Sequence, residues 1–144
     1  MSDEEAGFDP RPFLEMMGTV GHHGTLGIQY VAHGLDWVEM ALPYDEKLTV
    51  DDDSGILASG PIVSLMDGCT SIAVWIKLQG FRPIATLDLR IDYLRPATPG
   101  MKVIGRGECY GLKRSISFVR GIAHDGDPSD PVANVAATFM FTDA

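Results

Sequence analysis

Residues 61–76 run PIVSLMDGCTSIAVWI, with Asp67 as their one charged side chain. Ile62, Leu65, Met66, Cys69, Ile72, Ala73 and Ile76 recur at helical spacing, and Pro61 suits a first helical position. The opposite face carries Val63, Ser64, Thr70, Ser71, Val74 and Trp75 in place of charges. A helix that is apolar on most sides is buried on most sides, so the rest of the chain must wrap it. Gly80 supplies a C-terminal stop. Asp67 and the Ser, Thr and Gly residues of the wider stretch 55–76 set it apart from a membrane span.

The wrapping reads as strands. Residues 26–44 predict two strands with a turn near His33 and Gly34; in the second, Val38, Met40 and Leu42 alternate with Trp37, Glu39 and Ala41. An acidic, turn-rich loop, LTVDDDSG, leads to the helix. After it, Leu87, Leu89, Ile91 and Tyr93 alternate with Thr86, Asp88, Arg90 and Asp92, the pattern of a strand with one buried face. Residues 102–110, 115–124 and 132–142 predict three more strands between Gly, Pro and Asp turns. Ahead of all this, residues 1–9 read as a frayed acidic tail. Residues 10–17 read as a short helix with Asp9 as N-cap and Phe13, Met16 and Met17 to bury. The order is short helix, two strands, long helix, four strands: an α+β chain with one antiparallel sheet around one apolar helix. Residues 1–25 form a tail and short helix, and 26–144 a single domain.

Charge narrows the function. Eleven Lys and Arg against twenty Asp and Glu leave a formal charge of −9. The chain therefore lacks the basic field that grips phosphate backbones or anionic membranes, so nucleic-acid and membrane-surface partners are not expected. Cys69 and Cys109 stand outside zinc-finger or CxxC spacing and read as reduced core thiols. With an acidic N-terminus that has no apolar signal core, they point to a reducing, cytoplasmic setting. His22, His23, His33 and His124 are scattered without ligand spacing, so no metal is expected. Nucleotide-loop and serine-elbow motifs are absent.

Asp67 is the chemical anomaly. A carboxylate on a buried helix needs a raised pKa, a set of hydrogen bonds, or a job. Ser64 and Ser71, three residues before and four after, share its face and are placed to hydrogen-bond to it or simply to permit close packing. Gly55, Ser59 and Gly60 precede the helix, whose first N–H groups are free donors at a positive dipole end, able to hold an oxyanion about 3 Å away.

The segments SGILASGPIVSLMDGCTSIAVW and ATLDLRIDYLRPATPGMKVIGRGECYGLKRSISFVRGIAHD resemble the hotdog-fold acyl-CoA thioesterases of the phenylacetate-pathway type. Their pattern is N-x-x-G-x-x-H-G-G, six residues, an Asp on the central helix, then a strand ending near Y-x-x-P-A, and the likeness spans residues 26–142. The resemblance implies a hotdog fold, an antiparallel sheet wrapped around a long central helix. It implies that Asp67 activates water or attacks directly, and that the backbone N–H at Ser59, with Gly60 following, polarises the thioester carbonyl. Thr86 falls where a Ser or Thr of the partner subunit positions the water. No cofactor is implied beyond the coenzyme A of the substrate. The assembly implied is a homodimer with interface sites, often doubled to a tetramer. Arg95, Lys113 and Arg114 stand where basic turns meet the nucleotide.

Three pattern positions depart: Ala58 replaces the His before the glycine pair, Asp52 replaces the upstream Asn, and Ser59 stands for the first Gly. An N–H survives a Gly to Ser exchange where φ and ψ permit. The His and Asn hydrogen bonds do not survive, and one lost transition-state donor costs about 10²–10³ in rate. Acyl-CoA hydrolysis therefore has two rivals, a non-catalytic acyl-CoA or small apolar ligand binder and a hotdog hydratase or dehydratase, which would need a His beside Asp67. Trp37, Trp75, Phe81 and Tyr93 are candidates to line an acyl pocket, or core.

Overall fold

A computed structural model describes residues 7–143. Its elements run α1 (Arg11–Met17), α2 (Gly21–Leu26), β1 (Gln29–His33), β2 (Trp37–Leu42), α3 (Ser59–Leu78), β3 (Ile84–Tyr93), β4 (Val103–Leu112), β5 (Ile116–His124) and β6 (Ala133–Phe141). The six strands form one antiparallel sheet in the order β1-β2-β4-β5-β6-β3. It curls around α3, whose Leu65, Met66, Cys69, Ile72, Ala73, Val74 and Ile76 are fully buried against Val38, Met40, Val103, Val119 and Phe139. This is the hotdog arrangement. By length and apolarity alone α3 would suit a membrane; within this fold it is the core helix.

Four local expectations are corrected. Helix α3 ends on Gln79, which itself takes the left-handed conformation at φ 59°, and the Gly80 N–H closes the turn on Trp75 O. The Gln79 side chain steadies this end, its Nε2 donating to Ile76 O and its Oε1 accepting from the Phe8 N–H. Residues 1–6 of the expected tail lie outside the described residues, but Phe8 is packed edge-on against Phe81. Asp9 is not the N-cap, which is Pro10. Its carboxylate accepts from the Arg11 N–H and guanidinium, and those bonds lower its pKa to about 2. Of the residues expected to be buried on α1, Met16 stays half exposed and Leu14 fills the core instead.

The other two differences bear on function. Leu26 does not start a strand: it ends α2, a six-residue helix the hydrophobic pattern does not reveal. Strand β3 pairs only with β6 and forms an edge of the sheet. A bulge between Thr86 and Asp88 breaks its register, and Leu87 and Tyr93, expected inside, are 53% and 45% exposed.

Candidate active site

The site begins where α3 begins. Ala58 occupies the N-cap in extended backbone and offers no side-chain acceptor to the first turn. The exposed Ser59 and Gly60 that follow therefore keep first-turn N–H groups without a side-chain cap. The loop before them is tied down by Ala58 N–H to Leu48 O and Val50 N–H to Ile56 O. Asp52 lies in that loop, in a small hollow with Tyr44, Thr49 and Gly55. Tyr93, at the end of β3, donates its hydroxyl to Ser59 O at 3.3 Å.

Just over two turns further on, Asp67 opens into a separate cleft of about 480 Å³, bounded by α3, β3 and α2. Thr86 Oγ1 donates to Asp67 Oδ1 at 3.0 Å within the same chain. Oδ2 accepts no hydrogen bond among the described residues and is open to a water or a substrate. A carboxylate steadied by one hydroxyl and opening on a cleft is equipped to take a proton from water or to attack a carbonyl.

Two histidines complete the cleft. Helix α2 brings His22 Nε2 to within 2.7 Å of Ser64 Oγ, one turn of α3 before Asp67. His23 packs against Gly68, where a β-carbon would come within 2.8 Å of Nε2. Burial lowers the pKa of the His23 imidazole below its ordinary value, His22 lowers it further and Asp67 opposes. Its Nδ1 is buried without a partner. The adjacent His pair between glycines is a visible oddity, but no spacing rule links it to a helix forty residues on.

The remaining expected residues disperse. Ser71 turns its hydroxyl onto Gly68 O of its own helix, not onto Asp67. Arg95 is occupied: its guanidinium grips Asp125 at 2.7 and 2.9 Å and also reaches Asp130 and Pro96 O. Lys113 and Arg114 are exposed in the β4–β5 turn and have no carboxylate partner among the described residues. That turn shares an end of the sheet with Thr86, since Leu112, Ser117, Phe139 and Thr86 stand in register across four strands, roughly 14 Å in all. Trp37 lies under the Arg106 guanidinium, while Trp75 and Phe81 form an aromatic cluster with Phe13, so the four candidate pocket aromatics do not converge. Both cysteines are buried free thiols. Among the described residues no three His, Cys, Asp or Glu side chains are grouped to hold a metal.

Comparison with known proteins gives a consistent outcome. A family model described as the thioesterase superfamily matches residues 54–132. A Haemophilus influenzae protein provisionally named an esterase is 33% identical over 91 residues, 63% of this chain and 64% of its own length, so the match spans under two thirds of that relative. A Pseudomonas aeruginosa crystal structure superposes with a TM-score of 0.79 at 36% identity over 90% of this chain and 94% of its own. The zebrafish thioesterase superfamily member 2 shares the fold at a TM-score of 0.78 and 16% identity, over 91% and 94% of the two chains.

Proposed function

The chain belongs to the thioesterase superfamily, and from that premise we propose that it hydrolyses thioesters, specifically an acyl-CoA, to a free carboxylic acid and CoA. The observation that carries this is Asp67, the one charged residue of the first four turns of α3, hydrogen-bonded to Thr86 and facing a cleft. Asp67 acts as general base or nucleophile, and the Ser59 or Gly60 N–H holds the oxyanion. The exposed cations Lys113 and Arg114 are the proposed contacts for the nucleotide phosphates.

One chain does not bring these parts together. Ser59 and Asp67 are eight residues apart on a helix, about 12 Å, too far for both to meet one carbonyl. We therefore propose a homodimer formed at the β3 edge, with two α3 helices antiparallel across it, so that each Asp67 meets the other protomer's helix N-terminus. A ten-residue edge strand with exposed Leu87 and Tyr93 is the kind of edge that proteins cover. A further doubling to a tetramer is compatible with it. Buried free thiols favour a reducing, cytoplasmic setting.

The test is free-thiol release from short, medium, long and aromatic acyl-CoAs, with Asp67→Asn in parallel. Turnover that falls at least 10²-fold in the variant, with the oligomer intact, is expected; wild-type rates in Asp67→Asn refute the assignment. Ala58 at the N-cap favours one alternative, a non-catalytic acyl-CoA binder, which would show saturable binding and no thiol release. The histidines near Asp67 give substance to a hydratase, which would leave the thioester unbroken.

A further inference from the structure

We propose that His22 is the acid that protonates the departing thiolate, with Ser64 as the residue that positions it; this rests on the thioesterase reading above. The requirement comes from chemistry. When the C–S bond breaks, its electron pair goes to sulfur, and an alkyl thiolate, more basic than an aryl one, gains more from a proton that arrives as it leaves. The group that supplies it must stand across the reacting carbon from the base, beyond an attack distance of about 3 Å.

His22 is placed accordingly. Ser64 lies three residues before Asp67 on one face of α3, where such positions are about 5–6 Å apart. The imidazole stands one hydrogen bond of 2.7 Å beyond that serine, at the exposed rim of the same cleft. The bond to Ser64 fixes the ring through Nε2 and leaves its other nitrogen free for substrate. The titratable groups around it are Asp67 on α3 and His23 on α2 itself, while β3 contributes Thr86 and Leu89.

The step balances with no further reactant. Water bonds to the carbonyl carbon as Asp67 takes its proton; the C–S bond breaks; sulfur takes the proton of the His22 imidazolium. Asp67 then releases its proton to solvent, and His22 regains one from it. If Asp67 attacks first, the leaving step is the same and water later cleaves the anhydride.

The decisive experiment compares His22→Gln with wild type on two thioesters of the same acid, one of CoA and one of a nitro-substituted thiophenol whose thiolate leaves without a proton. Glutamine can still hydrogen-bond to Ser64 but cannot donate a titratable proton. The expected result is a kcat loss of about 10²-fold or more on the CoA ester, with less than about threefold loss on the aryl ester and no comparable change in KM. Ser64→Ala should show the same selectivity with a smaller loss. Equal losses on both esters mean a merely structural role and overturn the assignment. So does a wild-type enzyme that cleaves only the aryl ester. Wild-type protein that cleaves neither overturns the thioesterase reading itself, and this one with it.

Discussion

Strand β4 crosses under the middle of α3 with a glycine at 107, and replacing it tests how tightly the site helix is seated. A β-carbon at this position would stand 2.9 Å from the Cys69 carbonyl oxygen and 3.2 Å from Thr70 Cα, both backbone atoms of α3. Neither has a rotamer to escape into, so strand and helix must separate by several tenths of an ångström. The Cys69 thiol, 3.4 Å from Val38 O, shows the same close seating on β2. Overpacking a core costs about 1–3 kcal/mol, and replacing a strand glycine by alanine returns about 0.5–1 kcal/mol. Gly107→Ala should therefore lose about 1–2 kcal/mol net, or about 3–7 °C in Tm for a chain of this length. Asp67 sits half a turn before Cys69, so the lifted helix should also misplace it. A 1 Å error costs up to about 10²-fold in rate, and half that shift predicts roughly a tenfold fall in kcat. Thermal denaturation and steady-state kinetics read both effects. The control is Gly60→Ala, whose added carbon meets nothing within 4 Å and whose Tm should hold or rise. A Gly107→Ala protein with wild-type Tm would show that the helix has slack against the sheet and would refute the reasoning.

Three further outcomes are expected. Thr86→Val keeps the side-chain shape but removes the 3.0 Å donor to Asp67. A bond to a carboxylate in a partly exposed cleft contributes about 1–2 kcal/mol, so kcat should fall about tenfold with KM little changed, and unchanged kinetics would deny the hydrogen bond a role. Arg95 holds the buried Asp125 carboxyl well below the usual carboxylate range, burial opposes this, and the Thr98 N–H adds to it. A depressed carboxylate contributes stability in full above its unfolded value of about 4 and loses it as pH falls. Asp125→Asn should thus cost about 1.5–3 kcal/mol at neutral pH, with a Tm deficit that shrinks below about pH 4; a deficit independent of pH would contradict the ion pair. Burial pushes the Cys69 thiol up to about 12 and the Cys109 thiol upward, so neither should react with a thiol reagent in the native protein at mildly alkaline pH, whereas rapid labelling before unfolding would contradict their burial.

What the sequence disclosed follows the physics of periodicity. Helix α3 was legible because apolar residues recur at helical spacing from Ile62 to Ile76, and β4, β5 and β6 because alternation and turn residues agree there. Asp67 was legible as the only charge in an apolar run. Helix α2 was not, since six residues carrying Gly21, Gly24 and two histidines hold no hydrophobic stripe. Its meeting with Ser64 across forty-two positions is a product of tertiary packing alone. Arg95 misled for the same reason: its partner Asp125 lies thirty residues downstream on the turn after β5, and a cation looks available until the fold supplies its anion.

The failed expectation at β3 differs in kind. Its alternation of Leu87, Leu89, Ile91 and Tyr93 has the period of a strand with a buried face, yet within one chain Leu87 and Tyr93 stand open at the sheet edge beside exposed Val63 and Leu94. Alternation reports which side chains avoid water, without saying which molecule excludes it. Single-chain packing explains Ile91 and Leu89, which rest against the core; it gives no reason for the apolar character of the other two. A second protomer at this edge would supply one, and would also close the 12 Å gap along α3 between the oxyanion donors and Asp67. The same copy would thus account for a stretch of exposed apolar surface and for a divided active site, two features that arise on different elements.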